Sequence, residues 1–211
     1  SNIALVRQVQ QICADANISL VLLDRGDATG ACVASDETLA GQLAAEQAHA
    51  LKAPKVLLLT DKSPTATRRM HAAVAALSRS VSGILSWDGW VTSATLPDTV
   101  RKQVGEGACV IALTREAMLA AVRLRESKQL GANCPIVGID TGPDNVPLLE
   151  QGYVSALVLP TPYTMGYRGC GLAIAMLGGA DAQSVLVEPR LITATNLYSA
   201  ANVSVAFPLL Q

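Results

Sequence analysis

The chain has 211 residues, half of them apolar and 16% charged, with a net charge of −1. That is ample material for a buried core and excludes disorder. The near-neutral balance has no basic stripe, which argues against direct nucleic-acid binding, and no apolar run approaches the ~20 residues of a membrane span.

The opening SNIALVRQVQQICADANI reads as an amphipathic helix, not as a cleavable signal peptide. Ser19–Leu23 is an apolar run ending on Asp24-Arg25 and predicts a strand, followed by a loop. A helix is expected near Thr38–Leu51, with Asp36 able to cap it. Lys55–Leu59 predicts a strand ending on Thr60-Asp61, and Thr65–Leu77 a helix. Ser82–Ser86 predicts a strand ending on Trp87, and a helix is expected near Thr92–Val104. Cys109–Leu113, Pro135–Ile139 and Val154–Leu159 are further strands. Between and after them fall helices at Arg115–Gln129, at Asn145–Gln151 with Asp144 as its cap, and from Tyr163 onward. The tail Ser184–Thr193 reads as extended. Strands alternating with helices imply α/β architecture with parallel sheets covered on both faces, and the continuous apolar runs agree.

Polar residues follow nearly every strand: Asp24-Arg25, Asp61, Trp87 to Trp90, Thr114-Arg115 and Asp140-Thr141. Ligands bind open α/β sheets beyond the carboxyl ends of the strands. Carboxylates accept from neighbouring hydroxyls, a guanidinium donates in a fork, and an indole packs on the C–H face of a sugar ring. Such a set suits a sugar or polyol. Plainer readings compete. Asp24 and Asp140 also suit helix or turn caps, Arg25 or Arg69 an exposed charge, and Trp90 a core position.

Cys13, Cys32, Cys109, Cys134 and Cys170 match no metal or redox spacing and cannot all pair. They read as free thiols and lean towards a reducing compartment. His49 and His71 fall on predicted helices, and neither a P-loop nor a GxSxG motif is present. Asp24 with Asp140 could imitate a glycosidase pair, but an enzyme is not the expected reading, and no cofactor or metal is expected.

Seven segments in order carry a resemblance: NISLVLLDRGD, VASDETLAGQLAAE, KVLLLTDKSPTATRRMHAA, DGW with TSATL, CVIALTREAMLAAVRL, PIVGIDTGPDNVPLLEQGYVSALVLPTPYTMGYRG and LITATNL. Together they resemble the periplasmic-binding-protein type I superfamily. It includes sugar-binding proteins of ABC importers and the effector domains of LacI-type repressors. The resemblance implies two Rossmann-like lobes closing on a ligand in the cleft between them. It implies ligand contacts at Asp24, Arg25, Arg69, Trp90 and Asp140. Thr114 stands where the family usually has a sugar-contacting Asn, and Pro160 where ribose-type binders have a Gln. Ala72-Ala73 and Thr114-Arg115 also depart from the family pattern.

The same resemblance implies residues 36–159 as a complete second lobe, joined by 194–211 as a returning tail, with 1–35 and 160–193 as pieces of the first. On that map the first lobe's opening strands and helices, roughly sixty residues at typical element lengths, are not in this sequence, and either association through the incomplete lobe or disorder of that half is expected. The implied function is a periplasmic sugar receptor partnered by a membrane permease or a sensor. The alternative is the effector domain of a cytoplasmic LacI-type regulator.

Overall fold

The computed structural model describes residues 3–24, 30–78, 80–93, 95–105, 107–140, 142, 145–181 and 183–207. In chain order the elements are α1 (Ile3–Asp15), β1 (Leu22–Leu23), β2 (Cys32–Ser35), α2 (Glu37–Ala50), β3 (Lys55–Leu59), α3 (Pro64–Leu77) and β4 (Gly83–Trp87). A single 3-10 turn, Gly89–Val91, precedes α4 (Asp98–Val104), β5 (Cys109–Ala112), α5 (Arg115–Glu126), β6 (Ile136–Ile139) and α6 (Asn145–Glu150). The chain continues with β7 (Ala156–Leu159), α7 (Pro162–Leu177), β8 (Ser184–Val187), β9 (Arg190–Thr193) and α8 (Ala200–Ala206). The α/β class expected from the sequence is the class observed. Two compact units result: unit 1 from Ser1–Ser35 and Thr161–Val187, unit 2 from Asp36–Pro160 and Glu188–Gln211.

Unit 2 carries a six-stranded sheet in the order β4-β3-β5-β6-β7-β9. The first five strands are parallel, and β9 runs antiparallel to β7. Alternate side chains of each strand enter different cores. Leu57, Leu59, Val110, Ala112, Ile136 and Leu157 pack with Val104, Ala117, Met118 and Ala121 from α4 and α5. Val56, Leu58, Ile111, Val137, Ile139 and Val158 pack with the alanines of α2 and with Ala66, Ala73 and Leu77 of α3. This double burial is why the strands read as unbroken apolar runs, and each fully buried Leu or Ile contributes roughly 1.5–3 kcal/mol. Small residues let α2 and α3 approach closely: a Cβ at Gly41 would lie 2.2 Å from the Arg69 carbonyl oxygen.

Helix starts follow the local chemistry. Asp36 Oδ1 accepts from Leu39 N at 2.9 Å to cap α2. Ser63 Oγ accepts from Ala66 N at 3.2 Å to cap α3, with Pro64 in its first turn. Asp144, the expected cap of α6, lies outside the described residues. Burial pushes the Cys109 thiol up to about 12, with Cys134 adding to the effect, and burial raises Cys134 to about 11. Both thiols are therefore neutral and unreactive near pH 7.

Unit 1 carries a three-stranded sheet, β1-β2-β8, parallel throughout. Helix α7 packs on all three strands, and Val33, Met165 and Val187 form its small core. β1 is an edge of this sheet.

The structure departs from the sequence reading at several elements, beginning with β1, which is only Leu22–Leu23 of the expected Ser19–Leu23. β2 was not expected, because Cys-Val-Ala-Ser is short and weakly β-prone. α8 was not expected either. The helix expected over Thr92–Val104 begins only at Asp98, because Pro97 disfavours helical backbone at Leu96. The extended tail breaks at Pro189, so β8 joins the sheet of unit 1 while β9 joins that of unit 2. Residues 188–193, assigned to the first lobe from the sequence, therefore lie in unit 2, where β9 bonds along β7.

Candidate functional site

Because β3 to β7 are parallel and in register, their carboxyl ends share one edge of unit 2. Leu59 is level with Trp87 and Ala112, Ala112 with Gly138, and Ile139 with Val158. β4 adds to one side of β3 and β5 to the other. That reversal makes the carboxyl ends of β3 and β5 a topological switch point, the place where open α/β sheets bind ligands.

Arg69, on α3, reaches into this edge. It is buried, and its Nε donates to the Glu37 carboxylate of α2. Its Nη1 donates to the Leu113 carbonyl at 2.6 Å and, more weakly, to the Ile139 carbonyl at 3.4 Å. One guanidinium thus ties two helices to the ends of β5 and β6. The side chains of Arg69 and Glu37 are only 9% and 12% exposed. A pair so buried is costly to break, since removing one partner strands the other charge, at about 3–5 kcal/mol.

Thr114 follows β5 and is buried, and its Oγ1 accepts from Ala117 N at 3.3 Å as the cap of α5. Asp140 follows β6, and its backbone carbonyl accepts from Asn145 Nδ2 at 2.5 Å. Two residues on, the backbone lies against a cation: a Cβ at Gly142 would sit 2.3 Å from Arg115 Nε. Any side chain there would require the Arg115 guanidinium to move. Trp90 is half-buried in the 3-10 turn; its indole N–H donates to the Thr60 carbonyl at 3.0 Å and its ring packs against the aliphatic core. Nearby, Lys62 pairs with Asp88, and that hydrogen bond holds the exposed Asp88 carboxyl below the usual range.

The structure thus gathers Arg69, Thr114 and Asp140 at the strand ends of unit 2, with Trp90 beside the end of β3. Asp24 belongs to unit 1, at the carboxyl end of β1; its N–H donates to Val33 O at 2.8 Å. Its φ of +56° is left-handed, which Asp tolerates better than most residues. Arg25 lies outside the described residues. Glu37 was missed, because an acid in the first turn of a helix already has an ordinary reading as a complement to the helix dipole. Its partner lies 32 positions away, and no spacing rule pairs them.

Chemically the unit 2 edge offers donors and acceptors for hydroxyls. His49 and His71 are exposed on α2 and α3. Among the described residues no group of His, Cys, Asp and Glu is arranged to hold a metal.

A sequence profile of the periplasmic binding protein domain family matches residues 3–181. The chain belongs to that family. Its fold is that of solved sugar-binding members. A carbohydrate transporter solute-binding protein from Agrobacterium radiobacter, in complex with D-arabinose, superposes with a TM-score of 0.71 at 20% identity over 95% of this chain and 74% of that one. An ABC transporter solute-binding protein from Agrobacterium vitis, bound to α-D-tagatopyranose, gives 0.74 at 19% identity over 94% and 74%. One from Bacillus halodurans with bound myo-inositol gives 0.70 at 16% identity over 93% and 72%. At these identities the likeness is one of fold. No curated protein matches the chain.

Proposed function

We propose that this protein is a receptor for a small polar ligand, a sugar or polyol, and that it acts outside the cytoplasm with a membrane permease or a sensor. The observation that carries the reading is the cluster at the switch point of unit 2. There Arg69, Thr114 and Asp140 meet at the ends of neighbouring strands, in a chain of the periplasmic binding protein domain family. Trp90 stands beside them as an apolar wall. Each side chain binds, and none is asked to make or break a covalent bond. The sugars carried by structures of the same fold support the ligand class. Among the described residues no helix is long and apolar enough to cross a membrane.

Five free thiols favour a second reading, the effector domain of a cytoplasmic regulator. Fractionation of the producing cells separates the two: recovery with periplasmic markers supports the receptor, recovery with cytosolic markers the regulator. We also propose that unit 1 associates with further polypeptide along the β1 edge.

The test of ligand class is a thermal-shift screen against D-arabinose, D-tagatose, D-fucose, D-galactose, D-glucose and myo-inositol. A ligand at 100 times its Kd stabilises by about 2.7 kcal/mol, or roughly 5–10 °C for a chain of this size. A flat response to every neutral sugar and to their acids contradicts the proposal.

A further inference from the structure

The geometry points to a selectivity rule: Glu37 offsets the charge of Arg69, so the unit 2 edge accepts neutral polyhydroxy ligands and rejects their carboxylate counterparts. The rule deepens the receptor reading above and rests on it.

Arg69 has few N–H groups left for a ligand. A guanidinium can clamp a carboxylate through either of two edges, Nε with Nη2 or Nη1 with Nη2. Glu37 occupies Nε, and the Leu113 and Ile139 carbonyls occupy Nη1. Both edges have therefore lost one of their two nitrogens. Nη2 is left without a protein partner among the described residues. A single nitrogen donates well to hydroxyl oxygens. It cannot form the two parallel bonds by which arginine captures an acid.

Charge acts in the same direction. Arg69 and Glu37 are both nearly buried, so little water screens either, and they present almost no net charge to a ligand. Asp140 directly follows Ile139, whose carbonyl Arg69 reaches, and Arg115 lies against Gly142 two residues on, so these two opposite charges also add no net charge to the edge. An anionic ligand would be desolvated there with no unmatched cation and no free Arg69 fork to compensate it. A neutral sugar has no such penalty.

The test uses the whole chain and isothermal titration. The neutral probe is the sugar giving the largest shift in the screen, set against its carboxylate counterpart: D-galactose or D-fucose with D-galacturonate, D-glucose with D-glucuronate, D-arabinose with D-arabinonate, D-tagatose or myo-inositol with D-galacturonate or D-glucuronate. The wild type should prefer the neutral member by about tenfold or more, the scale of one unmatched charge. Glu37→Gln keeps an acceptor for Nε and removes the charge, so the acid should gain and the ratio narrow by about fivefold or more, as expected for an uncompensated guanidinium. Glu37→Asp should restore the discrimination. A purely structural Glu37 would weaken both ligands together and leave the ratio unmoved, which overturns the inference. So does a wild type that binds the acid as tightly as the neutral sugar, a result that does not depend on any variant folding. If only acids bind, the selectivity rule falls and the receptor reading stands; if neither class binds, the receptor reading falls and the rule falls with it.

Discussion

Unit 2 and unit 1 use the same strand–helix vocabulary but cover their apolar surface to different degrees. In unit 2 the strands β3, β5, β6 and β7 are almost wholly buried beneath helices on both faces. In unit 1, Ile12 is 57% exposed, Leu177 80% and Leu186 61%, and the core is a cluster of a few side chains around Val33. Stability scales with buried apolar area. Unit 2 therefore has an extensive buried core of its own, whereas unit 1 draws little stability from its own contacts and leaves β1 as an edge where further strands can add.

Hydrogen exchange should show the largest difference. Amides of β3, β5, β6 and β7 should exchange only through global unfolding, and those of β1 and β8 through local opening, orders of magnitude faster. Uniform protection in a monomer would break the comparison. Core truncation sharpens it. Leu58→Ala, at a fully buried site in the middle of the unit 2 sheet, should cost about 2–5 kcal/mol in urea unfolding. Val33→Ala in unit 1 should cost about 1 kcal/mol and leave the unfolding of unit 2 in place; equal losses would contradict the account. The smallest effect belongs to the cap of α5: Thr114→Ala should lower stability by ~1 kcal/mol, and Thr114→Ser by much less, since only the hydroxyl acts.

The sequence was most informative where one force decided the outcome. Lys55–Leu59 was expected with its observed bounds because Val56 to Leu59 bury on both sides and polar residues follow at once. Asp36 was expected as a cap because an acidic side chain at that position satisfies its own helix start. Where Pro97 and Pro189 fall, the same reading ran too long, since the apolar pattern continues through a residue that breaks the backbone pattern. Thr114 and Asp140 were expected at strand ends, and they lie there because parallel strands must end on a common edge. The bonds of Arg69 were not legible. Its guanidinium was expected to present a fork to a ligand, yet tertiary contacts with Glu37, Leu113 and Ile139 engage two of its nitrogens within unit 2. Trp90 likewise was expected to stack on a sugar, and its N–H is bound to the end of β3.

We propose that the carboxyl edge of the unit 2 sheet binds a sugar. Titration of the Asp140→Ala variant with the neutral sugar that binds the wild type tests it most directly. The substitution removes an acceptor for ligand hydroxyls and spares the backbone carbonyl that Asn145 holds. Losing a charged hydrogen-bond partner costs about 1.5–3 kcal/mol, so affinity should fall about 10- to 150-fold, in a variant whose unit 2 is shown to be folded by urea titration. Unchanged affinity in a folded variant would contradict the account.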